Sequence, residues 1–364
     1  MKVALVAQDI APSTAFEMLA VELKSRGHEP IVMVGKGKTF PTTNMEDVRN
    51  AVKNSHVTVV GMSSSAKLAE PEIVACDETV KRGKLLGFYG DTYHCHERAR
   101  EDSWFGPYRK HADFFLAINS EEAEEAKTVF TNLRFDAAGN FQSIATGNPT
   151  WEDYAFPKFT RAEVRNKYGV ADDEILVLAP GGKSPVVNTI IWGVLFDALL
   201  VVPKSKLFIS YHPGDRTPSA VDPDKGYAPL NIYDDLKKFS SVPVTFLPND
   251  VKTSHFLPGA DVVVEWGSSI AIEAAHQRIP VVSVSTEVGR KRMVTISNSE
   301  KWEAVELGVA KQSGTNSAYL SALISELLSD SSKLAARQAE VYPKPQARGA
   351  AVKKMADTLE SLVK

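Results

Sequence analysis

The chain has 364 residues, 43% of them hydrophobic and 24% charged, with a formal net charge of −3. That length and apolar content fit two ordinary globular domains and exclude a disordered or low-complexity polymer. The slightly acidic balance argues against a whole-surface grip on nucleic acid, though a local basic face stays compatible with it.

Short apolar runs alternate with amphipathic stretches from the start. Val3–Ala7 reads as a strand rather than a leader, because Gln8 and Asp9 interrupt the apolar run too early. Ser13 opens a helix with Phe16, Leu19, Ala20 and Leu23 on its inner face and Gly27 as its stop. Strands are predicted at Pro30–Val34, Val57–Gly61, Leu85–Tyr89, Phe114–Ile118 and Gln142–Thr146, with helices at Met45–Lys53, Pro71–Arg82 and Glu121–Phe130. Continuous apolar strands separated by helices predict a parallel sheet covered on both faces.

Gly147-Asn148-Pro149 breaks regular structure, after which the alternation restarts. A second set follows: strand Ile175–Ala179, turn Pro180–Ser184, a helix from about Asn188 to Leu200, and strand Lys206–Tyr211. Arg216–Leu230 reads as a long loop. Strand Val244–Leu247 leads to strand Asp261–Val264, a small-residue turn, helix Ile270–Gln277 and strand Pro280–Val284. Helices at Ser317–Leu328, Lys333–Val341 and Ala347–Leu362 complete the chain. The expected organisation is two Rossmann-like, doubly wound α/β domains facing a cleft, residues 1–148 and 149–345, with residues 346–364 crossing back to the first.

Cys76 and Cys95 are too few for a disulfide framework and indicate a reducing compartment. No apolar run reaches membrane-spanning length, so a cytoplasmic protein is expected.

Ligands of open α/β sheets bind beyond the carboxyl ends of the strands, and the polar clusters fall there. The richest is Trp266-Gly267-Ser268-Ser269 with Glu273. A turn of small residues opening a helix gathers backbone N–H groups suited to phosphate oxygens, and Glu273 one turn on suits ribose hydroxyls. Plain helix capping by serine is the bland alternative. Gly181-Gly182-Lys183 offers N–H groups and a cation to a diphosphate, or is a glycine-rich connection; it is no Walker loop, since Val177 stands where the first glycine is needed. His212 is read as a donor to phosphate or sugar, against a turn histidine. Arg290 is read as a phosphate partner, against a solvated basic run with Lys291 and Arg292.

In the first half, Asp91 is the candidate base for a hydroxyl nucleophile, with His94 and Asp9 beside it in the catalytic set; the alternative is an Asp that caps a turn. His94-Cys95-His96 has no second ligand cluster at metal-site spacing, so no metal is expected.

At these residues the chain resembles the GT-B class of nucleotide-sugar enzymes, closest in motif to lipid-A-disaccharide synthase, the hydrolysing UDP-N-acetylglucosamine 2-epimerases and the CDP-glycerol transferase group. Val177–Lys183 is similar to the synthase's "LLPGSR" opening, and Gly147-Asn148-Pro149 to the "GNP" or "GHP" linker. Gly267-Ser268-Ser269 with Glu273 resembles the "SGT…LE" or "SGG…E" donor turn. The resemblance implies a nucleotide-diphosphate sugar, a UDP-sugar foremost, with Glu273 on the ribose and the 267–269 turn on the phosphates. The epimerase "GTRPE" run is replaced by Ala7-Gln8-Asp9-Ile10-Ala11, and its paired glutamates by Glu273-Ala274, which points away from epimerisation.

The reading is therefore a glycosyltransferase that moves a sugar from a nucleotide donor to an acceptor hydroxyl, without a permanent cofactor. The acceptor class stays open among a saccharide, a lipid-linked sugar and a modified DNA base. Three alternatives stand beside it: transfer to a hydroxymethylated DNA base of viral type, a nucleotide-sugar 2-epimerase or hydrolase, and a non-catalytic sugar-nucleotide binding protein.

Overall fold

The computed structural model describes residues 1–35, 44–131, 142–182, 184–212, 215, 229–240, 242–297, 302–345 and 347–362. These divide into two compact units, Met1–Asp153 with Pro345–Lys364, and Tyr154–Lys344.

The first unit runs β1 (Lys2–Ala7), α1 (Ile10–Ser25), β2 (Glu29–Val34), α2 (Met45–Lys53), β3 (Val57–Gly61), α3 (Glu70–Lys81) and β4 (Leu85–Tyr89). It continues through short 3-10 turns at Cys95–Ala99 and Gly106–Tyr108 to β5 (Phe114–Ala117), α4 (Ser120–Val129), β6 (Ser143–Ala145) and α5 (Pro149–Glu152). All strands pair in parallel, in the order β2-β1-β3-β4-β5-β6. Both faces of the sheet are apolar because both are covered. Along β1, Val3, Leu5 and Ala7 face a core with Phe16, Leu19 and Leu23 of α1. Ala4 and Val6 face the other core, with Val48, Val52 and Ala75.

The second unit runs α6 (Arg161–Lys167), β7 (Ile175–Pro180), α7 (Pro185–Leu199), β8 (Ser205–Ser210), α8 (Pro229–Lys238), β9 (Val244–Phe246) and α9 (Thr253–Phe256). Then come β10 (Val262–Glu265), α10 (Ile270–His276), β11 (Val281–Val284), α11 (Glu287–Ser297), α12 (Glu303–Glu306), β12 (Lys311–Ser313), α13 (Ser317–Ser329) and α14 (Ser332–Val341). Its sheet is also parallel, in the order β12-β11-β10-β7-β8-β9. Val177, Ala179, Val262 and Val264 pack against Ile191, Leu195, Leu320 and Ile324 of α7 and α13.

The chain returns to the first unit as α15 (Ala350–Leu362). Glu152 accepts the N–H groups of Gly349 and Ala351 at 2.7 and 2.6 Å, which satisfies the open start of that helix. Val352, Met355, Ala356 and Leu359 then complete the core under α1. Arg26 meets Asp357 at 2.5 Å and His28 meets Glu360 at 2.8 Å on the rim.

Several elements differ from the sequence reading. Helix α6, unassigned there, carries a full capping box between Thr160 and Glu163. The basic run after β11 lies within a helix, α11. Strand β12 has only three residues and a polar sequence, Lys311-Gln312-Ser313, so no apolar run marks it. The long loop expected at Arg216–Leu230 ends in α8 from Pro229; its residues 216–228 lie outside the described residues. No helix of the described residues is long and apolar enough to cross a membrane.

Candidate functional site

In the second sheet the direction of strand order reverses between β7 and β10, which pair directly. A crevice opens at such a point beyond the carboxyl ends of the two strands. The turns after β7 and β10 are the two glycine turns singled out from the sequence.

One side chain ties them together. Asn188, in the first turn of α7 and fully buried, uses its whole amide. Its Oδ1 accepts the Gly182 N–H and the Trp266 Nε1–H, both at 2.8 Å. Its Nδ2 donates to the Gly182 carbonyl at 3.1 Å and to the Tyr233 hydroxyl at 2.8 Å. Tyr233 in turn donates to Asp215 Oδ2 at 2.8 Å. Gly182 has no room for a side chain, since a Cβ there would lie 2.6 Å from the Trp266 ring. Gly181 donates to the Ser210 carbonyl at 2.8 Å, beside His212, whose carbonyl accepts the Asp215 N–H. Lys183 lies outside the described residues.

The turn after β10 is built around a buried acid. Gly267 adopts φ +88°, a left-handed conformation that glycine accommodates without strain. Glu265 is fully buried, and its carboxylate accepts the Ser268 N–H at 2.7 Å. Burial raises its pKa to about 7 despite the N–H groups of Ser268 and Gly267. One N–H that the sequence reading offers to a phosphate thus already serves Glu265. The Ser268 hydroxyl accepts the Ile270 N–H at 3.4 Å, while Ser269, the exposed residue at the N-cap, makes no side-chain capping bond.

Glu273 lies one turn further along α10. It is only 6% exposed, and burial alone lifts its pKa to about 7. Among the described residues no side chain or backbone group hydrogen-bonds its carboxylate. Arg290 is exposed in the first turn of α11 and donates to the Ser285 hydroxyl at 3.3 Å. It lines a cavity of about 20 Å³ together with Trp266, Ser283, Met293 and Trp302, so the two turns after β10 and β11 share one wall. A larger cavity of about 650 Å³ opens by Ala260, Asp261 and Pro280, at the opposite ends of β10 and β11.

In the first unit the equivalent reversal lies between β1 and β3. Asp9 and the turn after β3 are cross-linked there. Asp9 N–H donates to Ser63 Oγ at 3.1 Å, and Asp9 Oδ2 accepts the Ser64 N–H at 2.7 Å. Ser63 Oγ donates to Glu72 Oε1 at 2.9 Å. Glu72 is fully buried, which drives its pKa well up against the Ser63 and Gln8 hydrogen bonds.

Asp91, after β4, is 6% exposed. Its carboxyl receives Cys95 Sγ at 3.4 Å, and its backbone carbonyl receives Asn148 Nδ2 at 2.7 Å. Burial raises its pKa, and the charge of Arg98 opposes that rise. Arg98 is the residue that sequence reasoning missed. Burial works against its guanidinium, yet Cys95, Asp91, Asp9 and Glu72 hold its pKa above the ordinary value. It also donates to the Met62 carbonyl at the end of β3. One cation therefore acts on three carboxyl groups, Asp9 after β1, Glu72 on α3 and Asp91 after β4.

His94 sits away from that group, toward α4. It has φ +58°, and its N–H donates to Glu122 Oε2 at 2.9 Å. Its Nδ1 lies 3.7 Å from Glu125 Oε2.

Neither protein families nor curated proteins yield a match to this chain. Solved structures do. UDP-N-acetylglucosamine 2-epimerase from Neisseria meningitidis, bound to UDP-N-acetylglucosamine, matches with a TM-score of 0.60 at 12% identity, covering 99% of this chain and 100% of that one. The Methanocaldococcus jannaschii UDP-N-acetylglucosamine 2-epimerase, in complex with UDP-N-acetylglucosamine and UDP, matches with a TM-score of 0.57 at 14% identity, covering 99% of each. A glycosyltransferase from Rickettsia africae matches with a TM-score of 0.57 at 13% identity, again covering 99% of each. Two parallel six-stranded α/β units, with the last helix restored to the first, give this chain the GT-B fold that these solved structures share.

Proposed function

We propose that the chain is an enzyme that binds a UDP-sugar at the turns after β7 and β10 and transfers the sugar to an acceptor hydroxyl. The observation that carries this reading is Glu273. Its carboxylate has no hydrogen-bond partner among the described residues, yet its oxygens are not sealed from solvent, so hydroxyls of a ligand can reach it without displacing an existing bond. It stands beside the strand reversal of a fold whose solved members hold UDP and UDP-sugars.

In this reading Glu273 accepts the two ribose hydroxyls. Trp266, held by Asn188, forms the wall of the base and ribose pocket, and His212, Ser268, Ser269 and Arg290 serve the diphosphate, a role that falls to Lys183 on its sequence position alone. The bond from the sugar C1 to the diphosphate oxygen breaks, and its electron pair leaves with UDP. The acceptor oxygen forms the new bond at C1, and Asp91 takes the hydroxyl proton. Positive charge near the departing diphosphate stabilises the transition state.

The epimerase reading is kept for one reason: two of the structural relatives named above are 2-epimerases. One experiment separates the two. The protein is incubated with UDP-N-acetylglucosamine in D2O, with and without candidate acceptors, and followed by NMR. Transferase activity releases UDP only with an acceptor. Deuterium at the sugar C2 without an acceptor establishes epimerisation instead. Failure of UDP to bind at all removes both.

A further inference from the structure

The turn after β4 and helix α4 bring together three metal-ligating side chains, two from one turn and the third from about thirty residues further along. One ligating atom each from His94, His96 and Glu125 lies within 4.8 Å of the other two. Glu125 Oε2 is 3.7 Å from His94 Nδ1 and 3.7 Å from His96 Nε2. Ligands on a tetrahedral zinc ion at about 2.0–2.1 Å stand roughly 3.3 Å apart, so the two Glu125 pairs need to close by only a few tenths of an ångström, and the two imidazole nitrogens, within 4.8 Å of each other, by at most about 1.5 Å. The closure is open to the side chains, because those of His94 and Glu125 are 43% and 45% exposed.

A second observation concerns orientation. His96 is buried, and its Nδ1 lies 2.7 Å from Glu122 Oε1 on the same helix as Glu125. Glu122 is fully buried and also accepts the His94 N–H. The carboxylate at Nδ1 fixes the ring so that Nε2 points out between Glu125 Oε2 and Glu97 Oε1. Carboxylate-oriented imidazoles of this kind are the usual supporting shell of zinc-class sites. The left-handed backbone at His94 turns its ring to the same side, with the two imidazole centroids 6.1 Å apart. Glu97 Oε1, 3.2 Å from His96 Nε2 and paired with Arg100, lies at the rim.

We propose that His94, His96 and Glu125 bind one divalent transition ion of the zinc class, with water completing the shell. Two imidazoles and a carboxylate select zinc or cobalt over magnesium or calcium, which prefer oxygen ligands alone. The ion clamps the turn after β4 to α4. That turn holds Asp91 at one end and Arg98 at the other, so the ion fixes the loop that carries them.

The test uses the full chain without a histidine tag, freed of metal by chelator and then titrated with zinc in a calorimeter and with cobalt by visible absorption. One ion per chain is expected, with cobalt bands of low-coordinate type and a zinc-dependent rise in the unfolding midpoint. His94→Gly removes one ligand while keeping the left-handed backbone, and Glu125→Gln removes another from an exposed position. Each weakens binding at least about ten-fold and abolishes the rise in midpoint. No saturable binding, or binding that both substitutions leave intact, overturns the proposal.

Discussion

Asn188 on α7 accepts the indole N–H of Trp266 across the strand reversal, and it does so with the oxygen that also accepts the Gly182 N–H. The turns after β7 and β10 are thereby one rigid object rather than two loops. Asn188→Leu would preserve volume but leave Gly182, Trp266 and Tyr233 without this partner. Buried unsatisfied groups cost about 1–3 kcal/mol each. A loss of roughly 3 kcal/mol or more is expected, seen as a fall of about 6–12 °C in the unfolding midpoint of a unit this size. Wild-type stability in Asn188→Leu would show that the network carries no such energy.

Glu265 gives stability a pH dependence of defined sign. Its pKa is about 7 in the folded protein against an ordinary 4.5. Its contribution is complete below about pH 4.5 and is lost as pH rises through 7, because the unfolded chain ionises first. The two pKa values differ by enough for about 3 kcal/mol. Urea unfolding at pH 5 and pH 8 should show this decline on top of that from Glu273, whose pKa is also about 7, and Glu265→Gln, which keeps an acceptor for the Ser268 N–H, should remove roughly half of the total. An unchanged slope in that variant would assign the pH dependence elsewhere.

The proposed division of labour separates binding from turnover. Glu273→Ala should weaken UDP and UDP-sugar binding about 10- to 100-fold, as loss of hydrogen bonds to a charged group does. Asp91→Asn should lower turnover about 100-fold or more while leaving UDP affinity in place. Calorimetry and initial rates on the two variants decide it. Equal loss of affinity and turnover in Asp91→Asn would remove the base assignment.

Arg98 acts on the proposed base through its charge. With Arg98→Met, the largest influence opposing the burial of Asp91 is gone and the Cys95 hydrogen bond remains, so its pKa rises further. The acidic limb of the rate profile should move to higher pH, with activity at neutral pH down roughly ten-fold for each pKa unit. Arg98→Lys should restore part of it. A profile that loses height without moving would make Arg98 a purely structural group.

Much of the architecture was legible because both sheets are covered on both faces. Strands such as Val3–Ala7, Leu85–Tyr89 and residues 262–264 are nearly continuous apolar runs, and nothing but a buried parallel sheet calls for so many of them. Strand β12 escaped because an edge strand of three polar residues has no such signature. Helix α6 escaped for a different reason: its signal is the Thr160–Glu163 capping box, not an apolar stripe. The glycine turns were readable as turns, but the role of Asn188 was not, since an amide at the start of a helix gives no hint of four partners. Arg98 was equally silent. Its meaning lies in Asp9, Glu72 and Asp91, which are far apart along the chain and meet only when the sheet forms. The His94-Cys95-His96 run lacked a second cluster in sequence, and α4 supplies Glu125 from across the fold.

Helix α15 belongs to the core beneath α1, yet the whole of residues 154–344 separates it from the rest of that unit. During synthesis on a ribosome the later unit therefore has all its residues before the earlier one does. At roughly 5–20 residues per second, Phe16, Leu19 and Leu23 wait about 15–70 s for Met355 and Leu359 to emerge. The nascent amino-terminal sheet spends that interval with an uncovered greasy flank, a natural target for a chaperone and the place where premature termination would leave an aggregating fragment.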